Sequence, residues 1–283
     1  MKLLIVMLLA LTLLLQGCIH EDPKDAEDPS TDGTKETLEI VHYYANMEYA
    51  YQTPVDQSVL TTDLHSDYLL LANKEHALGA DYAPSALTTL TCATYGNKEI
   101  ELDRRAAQAL YLMLQEMRAA GVTDIFVTSA YRSYEYQKLL FNHYMTIEQS
   151  GISSEAIACF GQDYIQKHYY DKGLRALNAA DARQAVLSYS AYPGTSEHQT
   201  GLCVDFITST MGGNLTVDFA QTPAFAWLHQ NAYRFGFILR YPDGKEGTTG
   251  YTYEPWHYRF VGREAATDIY FGGLTLEDYL EYS

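Results

Sequence analysis

Positive charge is scarce in this chain. Nineteen Lys and Arg stand against 36 Asp and Glu, giving a formal net charge of −17 over 283 residues. A surface of that sign repels phosphate backbones, so nucleic acid is excluded as a partner and general adsorption to an anionic membrane is disfavoured. Cysteine is scarce too. The four residues Cys18, Cys92, Cys159 and Cys203 include no CxxC pair, which rules out a thiolate zinc site of the finger type. Outside a reducing compartment Cys92 and Cys159 could form a disulfide, but sequence carries no geometry to decide it. One long apolar run is present, at the N-terminus. A second is missing, and so is any internal repeat. What remains is an ordinary globular balance, 47% hydrophobic and 19% charged, long enough to bury a sizeable core. The 25 tyrosines suit either a polar ligand groove or amphipathic packing at the core margin.

The N-terminal run follows a short basic start, Met1-Lys2, and extends without charge from Leu3 to Leu15. It is too short to span a bilayer comfortably and reads as a signal peptide over residues 1–17. It ends in Leu15-Gln16-Gly17-Cys18. That ending resembles a bacterial lipoprotein cleavage box, although Gln16 is not the favoured residue at its place. The resemblance implies cleavage before Cys18, lipid on its thiol, and an extracytoplasmic protein held at the cell membrane. Residues 18–37 are acidic, rich in Asp, Glu, Pro, Thr and Lys, and lack a hydrophobic period. They read as a flexible tether. Residues 38–283 form the remaining, folded domain.

Within that domain Leu69 to Lys74 is expected to begin the ordered body. The clearest helix runs from Asp103, a natural cap, to Ala120, with Ala106, Leu110, Met113, Leu114 and Met117 on one face and Gly121 as its stop. Asp124–Ser129 reads as a buried strand and Ser133–Met145 as a second helix. Thr146–Ser190 looks helical with breaks at Gly151 and Gly161. Leu202–Ile207, Gly236–Arg240 and Thr252–Tyr258 read as strands. Thr222-Pro223 opens a helix whose Ala224, Trp227, Leu228 and Phe235 share a face. Helices in mixed order with mainly antiparallel strands predict an α+β fold, a central antiparallel sheet with flanking helices.

His198 and Asp205 lie in Ser196-Glu197-His198-Gln199-Thr200-Gly201-Leu202-Cys203-Val204-Asp205. Both are zinc-ligand types, and Gly201 can turn the chain so that both reach one point. Such a pair alone is more often a hydrogen bond than a metal site. Glu254-Pro255-Trp256-His257 adds a second histidine and a spare carboxylate. A catalytic zinc wants three protein ligands, an open position, and an unligated carboxylate to take a proton from water. Arg132, in Ser129-Ala130-Tyr131-Arg132-Ser133 at a strand end, can clamp a substrate carboxylate bidentately.

These segments together, with Gln137, Leu71-Ala72-Asn73-Lys74, Arg240-Tyr241-Pro242-Asp243-Gly244-Lys245 and Glu254-Pro255-Trp256-His257-Tyr258-Arg259, resemble the VanY-type D-alanyl-D-alanine carboxypeptidases. These belong to the zinc peptidase group shared with the D-Ala-D-Ala dipeptidases and the hedgehog signalling domain. The likeness runs from about Leu69 to Gly262, with Thr146–Ser190 longer and less recognisable. It implies a hedgehog/D,D-peptidase-like fold and one Zn2+ held by His198, Asp205 and His257. It implies Glu254 as catalytic base and Arg132 as holder of the peptide's terminal carboxylate. Gln137, Ser196, Tyr241 and Trp256 match positions that contact substrate in relatives, and Ser129 is a further candidate of that kind. The family usually has alanine where Cys203 stands. On a strand Cys203 would share a face with Asp205 and could approach the metal, though a small buried filler is the expectation. The implied activity is release of C-terminal D-alanine from peptidoglycan stem peptides; the sequence leaves the oligomeric state open, with a monomer as the default. The alternatives are L,D-carboxypeptidase action on tetrapeptide stems and a non-catalytic cell-wall-binding lipoprotein. Glu254 speaks against the last, because a binding protein has no need of a base.

Overall fold

Helix α1 (Arg104–Ala119) begins where Asp103 accepts hydrogen bonds from the Arg105 and Ala106 amides at 2.9 and 3.2 Å. It ends at Gly121, whose φ of +82° glycine adopts without steric cost. In this computed structural model, which describes residues 42–60, 67–150 and 179–282, the predicted face of α1 is buried: Ala106, Leu110, Met113, Leu114 and Met117. Each large apolar side chain there contributes about 1.5–3 kcal/mol of burial. The signal segment, the tether, Cys18 and Cys159 lie outside the described residues, and so do residues 151–178.

Two antiparallel sheets follow. A small one pairs β1 (Leu87–Thr89) with β2 (Glu101–Asp103). The other has the order β3-β4-β6-β5, with β3 at Phe126–Ser129, β4 at Cys203–Ile207, β5 at Phe237–Leu239 and β6 at His257–Phe260. Side chains alternate across this sheet. Val204, Phe206, Tyr258 and Phe260 join α1 and helix α4 (Pro223–Asn231) in the main apolar cluster. Cys203, Asp205, His257 and Arg259 belong to neither apolar cluster and face the other way. Helices α2 (Tyr134–Ser150) and α3 (Ala179–Tyr189) pack on each other through Tyr144 and Tyr189, ring centroids 5.4 Å apart. Helices α5 (Arg263–Gly272) and α6 (Leu276–Tyr282) complete the described chain around Val261, Ala265, Ile269 and Tyr279. The α+β expectation holds.

Three local expectations shift. Ordered structure begins before Leu69: the buried Glu116 carboxylate on α1 accepts from the Gln52 and Thr53 amides and the Thr53 hydroxyl at 2.6–3.0 Å, pinning that segment down. Phe235 does not continue α4, because a separate 3-10 turn, Ala232–Phe235, carries it into the core. The strand expected over Thr252–Tyr258 starts only at His257. Pro255 has no amide to give a ladder. The Glu254 amide instead donates to Tyr241 O, and the His257 amide to Glu254 O, both at 3.1 Å. That turn holds Glu254 beside His257.

Candidate active site

The sheet register builds the site. Asp205 on β4 pairs with His257 on β6 and with Ser129 on β3, so the three stand in one row. His198 arrives from a 3-10 turn, Glu197–Thr200, that Gly201 closes at φ +68°. A Cβ at Gly201 would lie 2.9 Å from Pro84 Cγ, so the turn demands glycine twice over, for its dihedral and for its space. Arg132 leaves the end of β3, where its amide donates to His198 O at 3.1 Å.

Two imidazoles and one carboxylate converge. His198 Nε2 lies 3.1 Å from Asp205 Oδ2, and His257 Nδ1 lies 3.0 Å from Asp205 Oδ1. All three residues are no more than 3% exposed. The outer nitrogens are occupied. His198 Nδ1 donates to Ala130 O at 2.6 Å, and His257 Nε2 donates to Glu197 Oε2 at 3.1 Å. With these bonds made, the inner nitrogens are the ones that would give a lone pair to a metal ion, the arrangement metal-ligating histidines adopt. Asp205 Oδ1 is buried and accepts no well-aligned hydrogen bond, although His257 Nδ1 lies 3.0 Å away. Such an oxygen is costly unless something fills the place. The donor set and this oxygen fit a zinc ion.

Glu254 lies 3.5 Å from His257 Nδ1 and lines a cleft of about 560 Å³ with Arg132, Ser196, His198, Asp205, Tyr241 and Trp256. Burial pushes the Glu254 carboxyl up to about 7, with the Asp205 charge adding to the rise. For Asp205 burial raises the pKa, but the two histidines outweigh it and hold the carboxyl well below the usual range.

The remaining candidates separate. Ser196 is buried at the cleft wall. Tyr241 also lines the cleft, and its ring stands 4.9 Å from the His257 ring, so it packs against that imidazole. Gln137 is fully buried behind Arg132. It accepts from Arg132 Nη1 at 2.9 Å and donates to Ala191 O at 2.8 Å, so it orients the arginine and does not line the cleft. Arg132 Nε is buried and has no partner, leaving that side of the guanidinium available to an anion. Ser129 faces an adjoining cavity of about 490 Å³ that shares Arg132 and Asp205 with the cleft.

Sequence reasoning missed the support beneath the ligands. Glu197 is completely buried and accepts from Arg240 Nε and Arg259 Nη1, both at 2.7 Å, as well as from His257. Burial raises its carboxyl, but the two guanidinium groups and the histidine outweigh that and leave it well below the ordinary range. Arg240 reaches on to Glu277 of α6 at 2.6 and 2.8 Å, and Arg259 to the Tyr68 and Leu70 carbonyls. The available signal was Glu197 itself, a carboxylate next to a candidate ligand. The loop 213–216, which forms another wall of the cleft, carries an Asn214-Leu215-Thr216 glycosylation-type pattern but nothing that points to substrate binding.

A family profile described as VanY, D-alanyl-D-alanine carboxypeptidase, matches residues 99–263. The chain is 30% identical to a protein named putative carboxypeptidase YodJ of Bacillus subtilis (strain 168), over 92% of this chain and 84% of that one. Its fold is similar to the LD-carboxypeptidase LdcB, with a TM-score of 0.61 and 33% identity over 76% of this chain and 86% of that one. It is also similar to a mutant of the vancomycin-resistance D,D-pentapeptidase VanY in complex with Zn(II). There the TM-score is 0.56, with 34% identity over 76% of this chain and 99% of that one.

Proposed function

The chain belongs to the VanY D-alanyl-D-alanine carboxypeptidase family, and from that premise we propose how its residues divide the work of a zinc-dependent hydrolase that releases C-terminal D-alanine. The observation that carries the division of roles is the buried row Asp205–His257 with His198 above it and the protonatable Glu254 alongside.

His198, Asp205 and His257 would hold the ion. When bound there, zinc supplies a Lewis acid that polarises the scissile carbonyl and makes an attacking water more acidic. Glu254 takes the proton from that water and passes it to the leaving D-alanine nitrogen. A carboxyl poised near 7 suits both halves of that shuttle. Arg132, aligned by Gln137, binds the free carboxylate of the last residue. An internal peptide bond offers no such anion, which restricts the enzyme to chain ends. Ser196 and Trp256 wall the reacting end of the peptide.

Two outcomes test these roles. His257→Ala and Asp205→Ala should each lose the stoichiometric zinc, read by elemental analysis of the dialysed protein. Full retention of one equivalent would remove them from the ligand set. Arg132→Ala should lower kcat/KM on a D-Ala-D-Ala peptide by about 1.5–3 kcal/mol, roughly 10- to 150-fold. Amidating the peptide's C-terminus should cost the wild type as much and the variant almost nothing. If amidation hurts both equally, Arg132 is not the carboxylate holder.

The substrates we infer are peptidoglycan stem peptides. Purified zinc-loaded protein, incubated with a muropeptide ending in D-Ala-D-Ala and followed by mass, should release one alanine. Release of a second alanine would add L,D action, the specificity named for the LdcB neighbour. No release from any stem, with one zinc bound and peptide binding retained, would move the reading to a wall-binding module. We also propose that the acylated Cys18 anchors the protein outside the cytoplasm. Cys18→Ala should then abolish incorporation of labelled fatty acid and free the protein from the membrane fraction.

A further inference from the structure

One buried side chain near the candidate ligands takes no part in the roles above. Cys203 is 0% exposed, yet it is absent from both apolar clusters, whereas its strand neighbours Leu202, Val204 and Phe206 belong to the main one. The alternation of β4 points it to the same side as Asp205, two residues on. Across the sheet its partner is Arg259, next but one to His257. The side chain therefore looks away from the core and toward the imidazoles. The ligand atoms of His198, Cys203 and His257 all lie within 4.8 Å of one another. Asp205 Oδ1, buried, 3.0 Å from His257 Nδ1 and accepting no well-aligned hydrogen bond, stands in the same row. A thiol packed as a mere filler would sit among methyl groups. This one sits among metal-binding groups.

We propose that Cys203 is a further protein donor to the metal ion beside His198, Asp205 and His257, with the attacking water entering as the ion expands to five-coordinate rather than into a vacant fourth place. The proposal rests on the zinc site argued above and deepens it. On binding, the thiol gives its proton to solvent and the sulfur donates to the ion, so nothing is oxidised or reduced. Thiolate and carboxylate together balance the charge of a divalent ion in a site where each buried charge needs a partner. A sulfur donor also changes the selectivity of the site. It favours zinc, cobalt and cadmium over magnesium and manganese, which prefer oxygen. Arg259 and Arg240 beneath the site carry the charge of Glu197 and Glu277, so they do not compete for the thiolate.

Cobalt(II) distinguishes the possibilities, because its visible ligand-field bands report that the ion is bound in a low-coordinate site while a near-ultraviolet sulfur-to-cobalt charge-transfer band reports a thiolate ligand. The full chain is stripped of metal, reloaded with one equivalent of cobalt(II) under reducing conditions, and compared with Cys203→Ala, Cys203→Ser and Cys92→Ala. The expected result is a charge-transfer band in the wild type and in Cys92→Ala. Both Cys203 variants should lose it while keeping the visible bands of a bound ion. Two variants at the position guard against one of them failing to fold. Visible bands without any charge-transfer band in the wild type would overturn the proposal and leave the three-ligand site standing. A charge-transfer band that survives in a folded Cys203 variant would overturn it as well, by assigning the sulfur to another cysteine. Failure of the wild type to bind cobalt or zinc would overturn both this proposal and the metal site beneath it.

Discussion

Replacing Glu254 by glutamine is expected to lower kcat by about 10²- to 10⁴-fold while leaving one zinc bound per chain, since a positioned acid–base group contributes on that scale. The change keeps the shape and the hydrogen-bonding reach of the side chain. It removes only the capacity to accept a proton and return it. Glu254 approaches His257 Nδ1 no closer than 3.5 Å, farther than Asp205 does, so the ion should not depend on it. Its backbone is fixed independently, by the amide bond to Tyr241 O and by the His257 amide bonded to Glu254 O. The local turn should therefore survive the substitution. Single-turnover kinetics with elemental analysis of the same preparation gives both readouts. A near-normal rate would dismiss Glu254 as the base. Loss of zinc along with the rate would recast it as a ligand.

The second large effect is on stability. Glu197→Ala should destabilise the protein by about 3–5 kcal/mol, because it removes the anion that two buried guanidinium groups share. At the size of this chain that corresponds to a fall in Tm of roughly 6–20 °C. Glu197 is also the acceptor for His257 Nε2. Without it the imidazole is free to change tautomer or rotate, and zinc affinity should drop roughly 10- to 100-fold as well. Glu197→Gln is the informative companion. It keeps an acceptor oxygen for one partner but loses the charge that both arginines require, so it should fall between the two. Thermal denaturation with and without a chelator separates the contributions. A Glu197→Ala protein as stable as the wild type would mean that Arg240 and Arg259 are held by Glu277 and the Tyr68 and Leu70 carbonyls alone.

The contrast between Glu254 and Glu197 shows where a linear reading stops. Both are glutamates beside a candidate ligand histidine. Glu254 was legible because three ligand-type side chains plus one spare carboxylate is a pattern with chemical meaning at the level of residue types. Glu197 was not, because its role depends on two arginines 43 and 62 residues away. Gln137 gives the same lesson in the opposite sense. Its place in the motif suggests a substrate contact, whereas packing turns it inward, onto Arg132 and the Ala191 carbonyl.

The chain's own sequence determined the α1 cap and its buried face, the glycine turn after His198, the segments that carry the candidate ligands and the spare carboxylate. Each of these is set by side-chain chemistry or by contacts a few residues apart, which local order specifies. Only the tertiary structure decided which nitrogen of each histidine faces inward, that β6 begins at His257 so that Glu254 sits on a turn, and that a buried charge network under the site connects β4, β6 and α6. It also set Cys203 beside the ligands. Those outcomes follow from strand register and from long-range pairing of buried charges, and neither leaves a period or a motif in the order of the residues.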